Sequence, residues 1–268
     1  MELRFWGVRG TFPSPGRDSA GYGGHTPCAS VETTAGRLVV DAGSGLRDLG
    51  LSLATTVAAP RITVLLTHFH FDHVMGFPFF APLFVEGAEI AVYAPAEPAE
   101  IRRYLASLMA ARLFPLDLGA TLAHKSFHRF EDGLVIGGVR ITSCPLRHPQ
   151  GSVAYRLEGE AGSVVLATDT EPPETGLDER LAAFAAGTTH LVCDATFTPE
   201  EYAAGKKGWG HATWRDAVEV GRSAGARNVY LSHYNPDHDD VRVREMVEAA
   251  RNVLPQTTGA RQGMELIW

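Results

Sequence analysis

The sequence predicts an α/β (α+β) fold in which sheets and helices are layered, and three observations carry that prediction. Short β-branched runs alternate with turn signals and with segments of helical periodicity. Several apolar runs end on an acid or a histidine, namely at Asp41, His68, Asp169 and His233. No solenoid repeat, low-complexity tract or break in composition interrupts the 268 residues, so one domain spanning 1–268 is expected.

Strands are predicted over 3–8, 29–34, 38–41, 62–67, 89–93, 135–143, 153–157, 164–167, 190–194 and 228–232, each bounded by turn formers. Helices are predicted over 45–54, 98–111, 178–186, 213–224 and 237–253. The stretch from Gly10 to Pro27 is dense in Gly and Pro and reads as one long irregular loop. Asp237, His238, Asp239 and Asp240 suit a helix N-terminus, where acids are electrostatically favoured. His124 and His128, beside Lys125 and Arg129, read as a solvated segment. Phe77, Pro78, Phe79 and Phe80 read as core packing, with a pocket wall as the alternative.

Composition narrows the function. With 45% hydrophobic and 21% charged residues the chain is an ordinary globular protein, long enough to need no disulfide staples. The three widely spaced cysteines, Cys28, Cys144 and Cys193, suit buried thiols in a reducing compartment. The N-terminus lacks a basic start and an apolar core of a signal peptide, and the apolar runs are too short for a membrane span. A cytoplasmic protein is expected. A net charge of −7 and the lack of any Lys/Arg run favour a small substrate over a long nucleic acid.

The densest chemistry lies in Thr67-His68-Phe69-His70-Phe71-Asp72-His73. His68 and His70 are two apart, so an extended strand end points both rings to one side. Asp72 and His73 are adjacent and require a turn to reach a second point. The segment therefore offers a nitrogen pair and then an oxygen–nitrogen pair, which suits two adjacent metal ions better than one tetrahedral ion. Imidazole with carboxylate suits zinc, and also manganese or iron. His148, Asp169 and His233 are available to complete two sites, with Asp169 able to bridge. Taken singly, each also reads as a turn or strand-end residue.

The order His68-x-His70-x-Asp72-His73, His148, Asp169, His233 resembles the metallo-β-lactamase-fold hydrolases over nearly the whole chain. The resemblance implies a four-layer αββα sandwich with the site at one edge of the two sheets. It implies one metal on His68, His70 and His148, a second on Asp72, His73 and His233, and Asp169 between them. True β-lactamases of this fold are exported and carry Cys where this chain has Asp169, so antibiotic hydrolysis is not expected.

Three further segments resemble the phosphodiesterase branch that contains tRNase Z and the cyclic phosphodiesterase of phosphonate breakdown. They are Phe5-Trp6-Gly7-Val8-Arg9-Gly10, Tyr22-Gly23-Gly24-His25-Thr26-Pro27-Cys28 and Asp41-Ala42-Gly43-Ser44-Gly45-Leu46-Arg47. This chain has His25 where many relatives have Asn. Gly210-His211-Ala212-Thr213 resembles an element of that branch whose histidine protonates the leaving oxygen, and Asp194 could orient His211. The plain alternative is that His211 only precedes a helix capped by Thr213.

The expected reaction is hydrolysis of a small cyclic or linear phosphodiester. Two divalent ions make hydroxide available near neutral pH for attack at phosphorus, and His211 is the general acid. Asp72, His211 and Asp194 are the expected catalytic set. A thioesterase or lactonase on the same fold is the first rival, and a non-catalytic metal-binding sensory module is a rival of another class. In tRNase Z proper a protruding arm separates the counterparts of His148 and Asp169, whereas here residues 149–168 suffice only for a hairpin. Monomer and homodimer both remain open from sequence.

Overall fold

A computed structural model describes residues 1–54, 57–174 and 176–268. Two seven-stranded sheets face each other. The first has the order β14-β1-β2-β3-β4-β5-β6, built from Glu2–Gly7 (β1), Cys28–Thr33 (β2), Gly36–Val40 (β3), Arg61–Leu65 (β4), Glu89–Ala94 (β5), His124–Arg129 (β6) and Glu265–Ile267 (β14). The second has the order β13-β12-β11-β10-β9-β8-β7. Its strands are Leu134–Ile136 (β7), Val139–Leu146 (β8), Ser152–Gly159 (β9), Gly162–Ala167 (β10), His190–Asp194 (β11), Asn228–Ser232 (β12) and Thr257–Gly259 (β13).

Each sheet is antiparallel in one half and parallel in the other. Strands β3 to β6 run parallel in the first sheet, as do β10 to β13 in the second. Parallel strands send their C-terminal ends to one edge, where loops gather functional groups. Asp41, His68, Asp169, Asp194 and His233 all stand at such ends.

Alternation along the strands assigns the layers. Leu38 and Val40 of β3 and Leu65 of β4 pack between the sheets, against Val139, Ile141, Tyr155 and Val164. Val39, Ile62 and Val64 point outward onto helices Leu46–Ala54 (α1) and Pro98–Leu108 (α3) through Leu46, Leu49, Ile101 and Leu105. Helices Glu179–Phe184 (α4), Trp214–Ala224 (α6) and Asp240–Val253 (α7) cover the second sheet. The shorter helices Phe71–Val74 (α2) and Pro199–Glu201 (α5) lie in loops around the strand ends. The result is the αββα sandwich expected from the sequence. Among the described residues no helix is long and apolar enough to cross a membrane.

Three expectations need correction. The strand predicted over 135–143 is a hairpin: Gly137 and Gly138 have φ of 53° and 88°, a left-handed pair that turns β7 into β8. His124 and His128 belong to the regular edge strand β6, a half-exposed strand in which His124 is exposed and His128 stacks on Tyr93 at 4.7 Å. Helix α7 begins at Asp240, not 237, because the Asp239 carboxylate accepts from the Arg242 N–H at 2.7 Å and caps it there. Phe77 and Phe80 are buried as core residues, whereas Phe79 is exposed. The three cysteines are free and buried.

Candidate metal centre

The segment after β4 descends to the sheet edge and turns into α2, with His70 immediately before the helix and Asp72 and His73 within it. The turn that the adjacent Asp72-His73 pair requires is therefore this single helical turn. His148 arrives from the loop after β8, Asp169 from the end of β10 and His233 from the end of β12. His68, His73, Asp72, Asp169 and His233 are buried.

The polar atoms converge. One ligand atom each from His68, His70 and His148 lies within 4.8 Å of the others; the same holds for His68, His73 and Asp169, and for Asp72, His73 and His233. Asp169 lies among these groups, 3.0 Å from His73 Nε2, 3.4 Å from His233 Nε2, 3.8 Å from His148 Nε2 and 3.9 Å from His68 Nε2. His/Asp clusters disposed in this way are consistent with a dinuclear metal site.

The donor set fits cations in a second respect. Each histidine spends one ring nitrogen on an outer partner and turns the other inward. Outward contacts join His68 Nδ1 to Thr67 Oγ1 (3.0 Å), His70 Nε2 to Gln150 Oε1 (2.8 Å) and His73 Nδ1 to Asp41 Oδ2 (2.9 Å). Two more join His148 Nδ1 to the Gly210 carbonyl (2.7 Å) and His233 Nδ1 to Thr196 Oγ1 (3.1 Å). Outer partners of this kind fix the ring and tautomer of a metal-ligating histidine. Inside, nitrogens face nitrogens: His70 Nδ1 is 2.9 Å from His148 Nε2, and His73 Nε2 is 3.4 Å from His233 Nε2. Among the described residues buried His68 Nε2 has no hydrogen-bond partner, and Asp169 Oδ2 has only His73 Nε2 beside it at 3.0 Å. Unpaired buried lone pairs are costly unless something positive satisfies them.

Electrostatics agree. Burial pushes His68 well below its ordinary pKa, with neighbouring His73 adding to it, so the ring is neutral and able to bind a metal. Burial opposes charge on Asp169, but His233, His73 and His68 outweigh it and hold the carboxylate ionised. For Asp72, too, burial is outweighed, by His73 and His233.

His211 sits at the rim, in the loop before α6, with its ring 5.0 Å from that of His233 and 5.2 Å from that of His148. Thr213 does cap α6, accepting from the Asp216 N–H at 3.3 Å in a capping box. The cap fixes where the chain enters α6 and so where His211 stands just before it. His211 Nδ1 is 2.9 Å from Asp194 Oδ2. Burial disfavours the imidazolium, but Asp194, then Asp169 and Asp72, push its pKa up to about 9.

Several supporting residues escaped the sequence reading. Asp41 is a strand-end acid inside a quoted motif, yet nothing in sequence tells that its carboxylate accepts from the Thr67 N–H (2.8 Å) and faces His73. Gln150 and Glu171 carry no motif at all. Thr11, Asp41, Gln150 and His233 adopt left-handed backbone, with φ of 63°, 62°, 61° and 59°. Strained φ/ψ of this kind clusters at functional sites. The Gly-rich loop also reaches the cluster: the Thr11 N–H donates to Asp72 Oδ2 at 2.7 Å, and a Cβ on Gly10 would meet His233 Nδ1 at 2.3 Å. His25 is a brace, 2.9 Å from Ser44 Oγ and 3.3 Å from Asp48.

Comparison with known proteins decides the family. The beta-lactamase superfamily domain matches residues 36–234, most of the chain. The protein belongs to the metallo-β-lactamase superfamily. Within it, the chain is similar in sequence to curated Ribonuclease Z proteins. It is 26% identical over 295 residues to the Ribonuclease Z of Methanopyrus kandleri, covering 98% of this chain and 96% of that one. The metallo-β-lactamase-fold protein YhfI of Bacillus subtilis superposes with a TM-score of 0.73 at 19% identity, over 99% and 98% of the two chains. A diphosphatase from the PhnP family superposes with a TM-score of 0.72 at 19% identity, over 100% and 97%. Both structures share this fold, and the superfamily match over most of the chain together with the His/Asp clusters makes the chain a metal-binding hydrolase of that superfamily.

Proposed function

We propose that this hydrolase is a phosphodiesterase acting on a small cyclic or linear phosphodiester. His68 Nε2, His70 Nδ1 and His148 Nε2 would hold one divalent ion, Asp72, His73 and His233 the other, with Asp169 shared between them. Zinc heads the choice, and manganese or iron suits the same donors. When bound, two such ions supply Lewis-acid stabilisation of phosphoryl oxygens and a hydroxide near neutral pH.

The observation that carries the phosphodiester reading is the His211–Asp194 pair. An alkoxide leaving group needs a proton, and a partly buried imidazole held protonated by Asp194 at 2.9 Å is placed beside the cluster to give it. Asp194 is itself fixed: its Oδ1 accepts from the Thr196 N–H at 2.9 Å and the Thr196 hydroxyl at 2.7 Å. Its role is to set the tautomer and aim of His211. The same Thr196 hydroxyl contacts His233 Nδ1, so one residue orients both the acid and a ligand. Thioester hydrolysis has less need of such an acid, because a thiolate departs with less help; a lactone also expels an alkoxide, and the substrate screen separates that rival.

The second reading is processing of tRNA, favoured by the similarity to Ribonuclease Z. Against it, residues 149–168 form the β9–β10 hairpin and its entry, with no projecting arm, and the net charge is −7. Long RNA binding draws on a basic face.

The experiment is a screen of metal-replete protein against cyclic and linear phosphodiesters, thioesters, lactones and a precursor tRNA, with His211→Ala alongside. Turnover of small phosphodiesters, lost in His211→Ala while its metal content is kept, is expected. Equal activity of that variant at equal metal content would refute the acid assignment.

A further inference from the structure

Beside the cluster, on the side of His68 and His70, lies a groove of about 580 Å³. Its walls are Phe69 and Tyr104, whose rings are 4.8 Å apart, with Pro95, Ala96, Pro145 and Val153. A volume of this order takes one small organic group. Among the described lining residues none is Lys or Arg, and Glu100 is the one acid. Its partner Arg103, 3.4 Å away, is exposed and lies outside the lining. The groove is therefore unsuited to a second anionic group. Elsewhere, the cavity behind Cys193 and the pocket at Arg147 and Arg180, where Asp178 and Glu179 balance the two cations, are lined by none of the cluster's histidines, nor by Asp72 or Asp169.

The polar atoms on the groove are few and of both kinds. His70 Nε2 meets Gln150 Oε1 at 2.8 Å. If His70 Nδ1 is the ligand atom, Nε2 carries the proton and donates to Gln150, leaving the Gln150 amide N–H groups for whatever fills the groove. The left-handed backbone at Gln150, followed by Gly151 at φ 86°, fixes that side chain against His70. The Ser152 hydroxyl donates to the Asp169 carbonyl at 2.8 Å and keeps its own lone pairs, and Glu100 accepts only. An aromatic wall with one donor and two acceptors at its margin suits a flat, uncharged, heteroaromatic group.

We infer that this groove receives a nucleobase-like group of the substrate, so that the phosphodiesters turned over best are those of nucleosides rather than of sugar phosphates or simple alkyl esters. The inference rests on the phosphodiesterase reading. Tyr104 is a specificity residue here, stacking on the base from the exposed face of α3, where its loss leaves the core intact.

The test is calorimetric binding of two reaction-product analogues, adenosine 5′-monophosphate and methyl phosphate, to the metal-loaded protein. The nucleotide is expected to bind about tenfold tighter, the scale of one base–aromatic stack. Tyr104→Ala should bring the nucleotide down to the level of methyl phosphate, and Tyr104→Phe should retain the preference. Equal affinity of the two ligands in the wild type, or an undiminished preference in Tyr104→Ala, would overturn the nucleobase groove and leave the phosphodiesterase reading standing. Failure of both phosphates to bind would overturn both.

Discussion

Asp194 Oδ2 lies 2.9 Å from His211 Nδ1, at the meeting of β11 with the loop that enters α6. The carboxylate is fully buried, and four hydrogen-bond donors surround it: the Thr196 N–H and hydroxyl, the Thr170 N–H and the imidazole. It cannot turn away from His211 without losing several of these.

That arrangement separates two variants. Asp194→Asn keeps the shape but removes the charge, and its amide can present N–H to His211 and favour the wrong tautomer. We expect kcat to fall by about 10²–10⁴, the range of general acid–base catalysis, with metal content near wild type. Unchanged kcat in Asp194→Asn would show that His211 needs no orienting carboxylate.

Gly10 is pressed against the second half of the cluster. A methyl group there would meet the His233 ring at 2.3 Å, and neighbouring Thr11 would no longer bring its N–H to Asp72 Oδ2. Gly10→Ala should cost about 1–3 kcal/mol of stability by overpacking and should lower the metal-to-protein ratio. Elemental analysis of the purified variant checks this; full metal occupancy would contradict it.

Glu171 ties the acid's loop to the cluster. Its carboxylate accepts from the Gly208 N–H (2.6 Å), the Gly210 N–H (3.0 Å) and the Tyr202 hydroxyl (2.7 Å), while the Gly210 carbonyl accepts from His148 Nδ1. Glu171→Ala should speed hydrogen exchange at residues 202–210 and reduce turnover, with the rest of the exchange pattern unchanged. Wild-type protection of that loop would count against the tether.

Much of this was readable from the chain because the site stands on buried parallel strands. Such strands read as continuous apolar runs, so the polar residues that end them, Asp41, His68, Asp169 and His233, are conspicuous. What was hidden depends on tertiary approach. Strand β6 is His-Lys-Ser-Phe-His-Arg, a half-exposed edge with little apolar pattern, and β13 and β14 have only three residues each. Gln150, Thr196 and Glu171 act through contacts to residues distant along the chain. No periodicity announces a hydrogen bond between residues 70 and 150, or between 196 and 233.

Removing metal should destabilise the protein. The inward-facing nitrogens and carboxylates of the cluster would lose the positive charge that satisfies them, and a ligand at a hundred times its Kd contributes about 2.7 kcal/mol. Thermal unfolding with and without a chelator should show a drop of several degrees in Tm, reversed by metal. The same Tm in both conditions would speak against the site.

The most direct test of a dinuclear phosphodiesterase is activity toward a small phosphodiester, followed as metal is returned to the chelated protein in measured equivalents. Activity that rises and saturates at two equivalents per chain is the expected result. Saturation at one equivalent, or hydrolysis indifferent to metal, would contradict it.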